Sequence, residues 1–250
     1  MYRYILLCVT LTGFLAMFQN ASALDIRDDE LLLYFSFDGE DNETVKDLST
    51  HGNDGTITGN VDYEDGKLGK ALKLSAGGEV RAPYIPINNK SFTVTMWVKP
   101  ALTGGDQQCV FTQKQTNTTN QSLHYRIYTS GQVRMGFYGN DLDAPGVVQA
   151  DVWSHICFWC DADSNTRKIY INAESKAQDQ NKSLYMGTSG DTIIGSWDGT
   201  QRFNGSIDEV TVWDRALSES DIQASMLGFG AAVDAADKLA VTWAHIKKSE

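Results

Sequence analysis

The chain has 250 residues, 42% of them hydrophobic and 10% aromatic, enough to bury one sizeable core in a single all-β domain. Its 22 glycines against 4 prolines suit many strands joined by turns and exclude a disordered or proline-rich protein. A formal net charge of −11, with no Lys/Arg cluster, excludes a nucleic-acid partner and leaves an acidic surface that attracts divalent cations.

The chain opens on a targeting segment. Met1-Tyr2-Arg3 gives a short positive start, residues 4–18 are apolar, and Ala21-Ser22-Ala23 puts small residues where signal peptidase reads. The apolar run is too short to span a bilayer comfortably and lacks a basic stop-transfer flank. This predicts a signal peptide over 1–23, a mature chain from Leu24, secretion (to the periplasm in a Gram-negative host) and no membrane insertion.

From residue 31 onward, short runs rich in β-branched and aromatic residues alternate with Gly, Asn, Asp and Ser. The pattern predicts strands over 31–37, 56–61, 71–74, 79–85, 92–98, 109–113, 123–128, 132–138, 153–160, 168–171, 192–194 and 206–213. Without helical crossovers the strands must pair antiparallel, as a sandwich or barrel. Ser218-Glu219-Ser220-Asp221 resembles a capping box and starts one short helix toward Ile222 and Met226. One domain over 24–229 is expected, followed by a tail over 230–250 of different composition.

Three cysteines, Cys109, Cys157 and Cys160, follow the targeting segment, and export places them where disulfides form. Cys157 and Cys160 stand three apart in one strand, so their side chains point to opposite faces. That leaves Cys109 with Cys157 or Cys160 as the expected bridge, if their strands are neighbours.

Several segments, taken in order, carry a resemblance. Leu33-Tyr34-Phe35-Ser36-Phe37-Asp38 is followed by Asp47-Leu48-Ser49-Thr50-His51-Gly52-Asn53-Asp54-Gly55, then Gly69-Lys70-Ala71-Leu72 and Phe92-Thr93-Val94-Thr95-Met96-Trp97-Val98. Trp153-Ser154-His155-Ile156 and Ile169-Tyr170-Ile171-Asn172 come next, and Phe203-Asn204-Gly205-Ser206-Ile207-Asp208-Glu209-Val210 with Trp213-Asp214-Arg215-Ala216-Leu217 closes the set. Over roughly residues 30–227 the chain resembles the LamG-like jellyroll family, within the concanavalin A-like lectin/glucanase superfamily. The resemblance implies a two-sheet antiparallel jellyroll sandwich with a concave outer face. Alternation then puts Phe92, Val94, Met96, Val98, Ile156, Phe158 and Cys160 in the core, and His155, Cys157 and Trp159 on that concave face.

Asp38 ends the first strand, Asp208 lies in the last, and Asn53 begins a turn able to offer oxygens. Calcium takes six to eight such hard ligands, and the resemblance implies a structural calcium ion held by Asp38 and Asp208, with Asn53 as a further candidate. Glucanases of the superfamily carry carboxylates at alternating positions of one strand. Here Ser206-Ile207-Asp208-Glu209-Val210 lacks that row, and strict alternation turns Asp208 and Glu209 to opposite faces. His51, His124, His155 and His245 pair with no nucleophile motif. The reading is therefore a non-catalytic binding or adhesion module for carbohydrate or an extracellular protein, with a purely structural interaction domain as the alternative and a glycoside hydrolase as the least favoured reading. Trp97, Trp159 and Trp197 are the candidates for stacking on a sugar ring.

Overall fold

A computed structural model describes residues 24–39, 43–75 and 77–229. The expected signal peptide over 1–23 and the tail over 230–250 lie outside the described residues. The strands in chain order are β1 (Leu31–Phe35), β2 (Thr44–Val45), β3 (Gly55–Thr58), β4 (Val61–Asp65), β5 (Lys70–Leu74), β6 (Glu79–Ala82), β7 (Phe92–Pro100) and β8 (Gln107–Lys114). They continue as β9 (Ser122–Tyr128), β10 (Val133–Gly136), β11 (Asp141–Ala144), β12 (Ser154–Asp161), β13 (Thr166–Ile171), β14 (Glu174–Gln180), β15 (Thr192–Ile194) and β16 (Gly205–Trp213), before the helix α1 (Glu219–Ser225).

These strands form two eight-stranded sheets, paired antiparallel throughout, which is the expected jellyroll sandwich. Sheet A runs β14-β13-β12-β7-β16-β5-β4, with β1 also on β16; sheet B runs β11-β10-β9-β8-β15-β6-β3-β2. The main core lies between them, built from inward residues such as Val94, Met96, Ile156 and Phe158 of sheet A and Phe111, Tyr125 and Ile127 of sheet B. Burying each such side chain stabilises the fold by about 1.5–3 kcal/mol. Tyr125 stacks on Phe158 at 4.0 Å between ring centres, joining the two layers.

Strands β2, β4, β11 and β14 were not legible as separate strands. β2 has only two residues, β4 and β11 carry acidic residues, and β14 (ESKAQDQ) is almost wholly exposed and polar. All four are sheet edges, where charged residues such as those of β4, β11 and β14 discourage pairing with other chains.

A second apolar cluster covers part of sheet A's outer face. Leu31, Tyr34, Cys157, Tyr170 and Trp213 from the strands meet Leu24, Leu217 and Ile222 there. The helix starts as its sequence indicates: Ser218 Oγ accepts from Asp221 N at 3.1 Å, and Asp221 Oδ2 accepts from Ser218 N at 3.4 Å. Trp159 Nε1 donates to the Leu217 carbonyl at 2.8 Å, fastening the segment before α1 to β12. His155 and Trp159 do face outward, but onto this covered surface instead of an open face.

The cysteine expectation needs correction. Cys109, Cys157 and Cys160 are all free, buried thiols. Cys109 lies in sheet B, its thiol 3.4 Å from Gln201 Oε1 outside the core, while Cys157 joins sheet A's outer cluster and Cys160 faces the main core. Face-to-face sheets stand about 10 Å apart, beyond disulfide reach. Cys109 therefore bridges neither Cys157 nor Cys160.

Candidate functional site

Strand β16 organises the site through a bulge. Its register against β7 runs Ser206↔Lys99 and Asp208↔Trp97, then skips to Thr211↔Thr95, and Glu209 has a φ of 52°. The extra residue breaks strict alternation. Asp208 and Glu209, expected on opposite faces, instead lie in one electrostatic neighbourhood with Asp38.

The β4–β5 hairpin closes over this neighbourhood. Asp208 Oδ2 accepts from Lys67 N at 2.8 Å and Leu68 N at 3.0 Å, and Asp38 Oδ1 accepts from Lys70 N at 2.8 Å. A Cβ at Gly66 would collide with Asp208 Oδ2, and one at Gly69 (φ 53°) with Asp38 Oδ1, so both glycines permit the close approach. Glu209 accepts from Tyr34 Oη at 2.9 Å. Burial raises the Asp208 carboxyl to about 7 against its backbone hydrogen bonds, with the Asp38 charge adding to the rise. Burial likewise raises Glu209 to about 8 despite its Tyr34 bond, with Asp208 and Asp38 pushing the same way.

The structure thus brings Asp38 and Asp208 together and adds Glu209, which sequence reasoning missed because nothing in the alternation signals a bulge. Asn53 is engaged elsewhere: its amide Nδ2 donates to the Leu32 carbonyl at 2.9 Å, and its backbone N to Asp47 Oδ2 at 2.8 Å. Among the described residues Asp208 Oδ1 is buried without a hydrogen-bond partner, an orphan acceptor of the kind a cation satisfies. Among the described residues no three His, Cys, Asp or Glu side chains are grouped to hold a metal alone. A cation here would need carbonyl oxygens besides Asp38 and Asp208, as calcium sites commonly use.

One step along β16 lies a polar cavity of about 340 Å³, lined by Glu64, Lys73, Lys99, Asp151, Asn204 and Ser206 among others. Strand pairing explains the convergence, since Ser206 stands opposite both Lys73 of β5 and Lys99 of β7. Glu64 accepts from Lys99 Nζ and from Ser206 Oγ at 2.7 Å, with Lys73 Nζ at 3.3 Å. Burial opposes its ionisation, but the Lys99 and Ser206 bonds outweigh that and hold the carboxyl at about 2. Lys99 Nζ also sits 5.2 Å from the Trp153 ring centre. Nothing in the sequence pattern marks these positions as one cavity.

Of the tryptophan candidates, Trp97 and Trp159 are covered by neighbouring groups, and Trp197 lies in a ring stack on the other sheet. Trp97 is buried under Lys67, whose Nζ is 4.6 Å from the ring centre, and meets His155 edge-on. Trp159 is covered by Lys168 at 5.1 Å and bonded to Leu217. Trp197 stacks on His124 at 5.1 Å, on sheet B's outer face. His155 Nε2 is 3.3 Å from Ser225 Oγ, and its Nδ1 is buried with no partner among the described residues.

The Laminin_G_3 family model, described as Concanavalin A-like lectin/glucanases superfamily, matches residues 74–223. Pentraxin-related protein PTX3 of Mus musculus is 27% identical over 158 residues, covering 57% of this chain and 40% of that protein. The neuronal pentraxin receptor of Homo sapiens is 25% identical over 186 residues, covering 62% of this chain and 37% of the receptor. The chain therefore spans about two fifths of the length of these curated relatives. Among solved structures, domain 4 of AbnA, a GH43 extracellular arabinanase from Geobacillus stearothermophilus, determined in complex with arabinotriose, superposes with a TM-score of 0.62 at 25% identity. That match covers 79% of this chain and 98% of the arabinanase domain. Among the described residues no helix is long and apolar enough to cross a membrane. By its two-sheet jellyroll and a family match spanning more than half its length, the chain belongs to the concanavalin A-like lectin/glucanase superfamily.

Proposed function

We propose that this chain is a secreted, non-catalytic module that binds carbohydrate in the polar cavity of sheet A, beside a structural calcium ion at Asp38 and Asp208. The observation that carries the reading is the convergence of Glu64, Lys73, Lys99, Asn204 and Ser206 from four strands and a loop around about 340 Å³. An ionised acceptor, ammonium donors and a nearby indole are the groups that hold sugar hydroxyls and C–H faces. The arabinotriose complex of the AbnA domain supports the same reading by likeness.

Catalysis is disfavoured by placement. Glu209 is committed to Tyr34, Asp208 lies under the hairpin, and Glu64 is neutralised by two lysines. Calcium would use Asp38 and the orphaned Asp208 Oδ1, tying the first strand to the last. The test is a glycan array on residues 24–250, followed by titration calorimetry of hits, arabino-oligosaccharides included. Lys99→Ala and Glu64→Gln should each weaken binding about tenfold or more, as loss of charge-assisted hydrogen bonds does. Unchanged affinity in both variants, or no glycan bound at all, would overturn the reading.

A further inference from the structure

Two arginines of the domain are buried, and they are treated differently. Arg167, 3% exposed, makes two bonds to Asp179 and a third to the Asn140 carbonyl. Arg126, 5% exposed on the outer face of sheet B, makes no ion pair among the described residues, although the Asp141 carboxylate lies within its electrostatic reach. Its register neighbours are Arg134 on β10 and Cys109 on β8, a like charge and a thiol. The nearby acids are taken: Asp141 and Asp143 pair with Arg134 at 3.0 and 2.7 Å. Arg126 Nε is buried without any acceptor, and so is Nε1 of Trp197, whose ring lies 4.4 Å from the guanidinium carbon.

A buried guanidinium facing another cation, its nearby carboxylate Asp141 shared with Arg134 and His124, is costly to keep for stability alone. A guanidinium on an aromatic face, with a free N–H beside a free indole N–H, is instead the donor arrangement for a planar or tetrahedral oxyanion. Trp197 belongs to the 195–203 segment, which lies over this face and turns at Gly195 (φ 96°) and Gly199 (φ 78°).

We propose that the outer face of sheet B holds a second ligand site, separate from the sheet A cavity, in which Arg126 and Trp197 bind the anionic group of an acidic saccharide. The group is a carboxylate or a sulfate ester. The saccharide part rests on the carbohydrate reading above, whereas the anion part stands on Arg126 itself.

The test is calorimetric titration of calcium-loaded protein with glucuronic acid, glucose 6-sulfate and glucose, alongside any neutral oligosaccharide the array identifies. At least one acidic sugar should bind and glucose should not bind at this site, the better of the two acids naming the anion. Arg126→Gln should weaken the acidic sugar about ten- to a hundredfold while leaving the neutral oligosaccharide unchanged, and Lys99→Ala should do the reverse. Arg134→Gln, which removes the same charge from the same face, controls for long-range attraction. Should Arg126→Gln fail to fold, Arg126→Lys keeps the charge without the planar fork and should still weaken acid binding. The proposal fails if neither acid binds at millimolar concentration, or if Arg134→Gln is as damaging as Arg126→Gln. Loss of the neutral ligand's dependence on Lys99, by contrast, would sink the sheet A reading alone.

Discussion

Comparing EDTA with added calcium at two pH values gives a sharp test of the proposed Asp38–Asp208 centre. In metal-free protein Asp208 has a raised carboxyl, near 7 against an ordinary 3.8, because it is buried beside Asp38. The native state therefore holds this proton more tightly than the unfolded chain does. That stability is fully present below about pH 4 and is lost as pH rises through about 7, a difference of about 4 kcal/mol at 1.36 kcal/mol per unit. Glu209, raised to about 8, adds to the same slope. In EDTA the melting temperature should fall between about pH 5 and about pH 8, whereas saturating calcium should remove much of that fall. At the higher pH, calcium at about a hundredfold over its Kd contributes about 2.7 kcal/mol, or about 5–10 °C for a chain of this size. At the lower pH the gain should shrink to a degree or two, because protons compete for the same carboxylates. Differential scanning calorimetry reads all four conditions, and Asp208→Asn should abolish the calcium increment. An equal calcium shift at both pH values, or one that survives Asp208→Asn, would refute the reasoning.

Asp47 takes hydrogen bonds from Tyr34 N, Ser49 N, Ser49 Oγ and Asn53 N, so Asp47→Asn should cost about 1–3 kcal/mol in urea unfolding yet keep the calcium increment. Burial lowers His155 to about 3. The unfolded chain takes that proton first as pH falls below about 6.5, so stability should drop from there down to about pH 3, and His155→Leu should flatten the acid limb of the unfolding curve. Gly205 has a φ of 147°, and a Cβ there would strike the Lys99 carbonyl; Gly205→Ala should lower stability by about 2 kcal/mol or more, measured by thermal melt. Thiol titration of residues 24–250 in denaturant should find Cys109, Cys157 and Cys160 all free, and slow to react before unfolding.

How much of this was legible in the sequence depends on what each feature needs. The sandwich could be read because Phe92 to Val98 and Ile156 to Cys160 alternate with the period of a sheet, and because Ser218 and Asp221 sit at capping-box spacing. Asp38 and Asp208 could be singled out by position and by resemblance, and they do meet under one hairpin. The cavity could not, since Glu64, Lys73, Lys99 and Ser206 come from four strands whose lateral order is set by tertiary pairing. Arg126 likewise looks like any outward residue of β9. Its distinction is the lack of a partner, which only coordinates reveal. Trp97 and Trp159 show the limit of alternation, because an outward-facing ring on a strand says nothing about the side chains and chain segments folded over it.

The bulge at Glu209 gives β16 two phases. Before it, even-numbered residues face outward; after it, odd-numbered ones do, so Ile207, Val210 and Val212 reach the core while Ser206, Asp208, Thr211 and Trp213 do not. The strand is in effect two short rulers joined with a one-unit offset, one graduated for the hairpin and cavity, the other for the helix-covered surface. Each half can then accept substitutions suited to its own neighbours without forcing the other out of register.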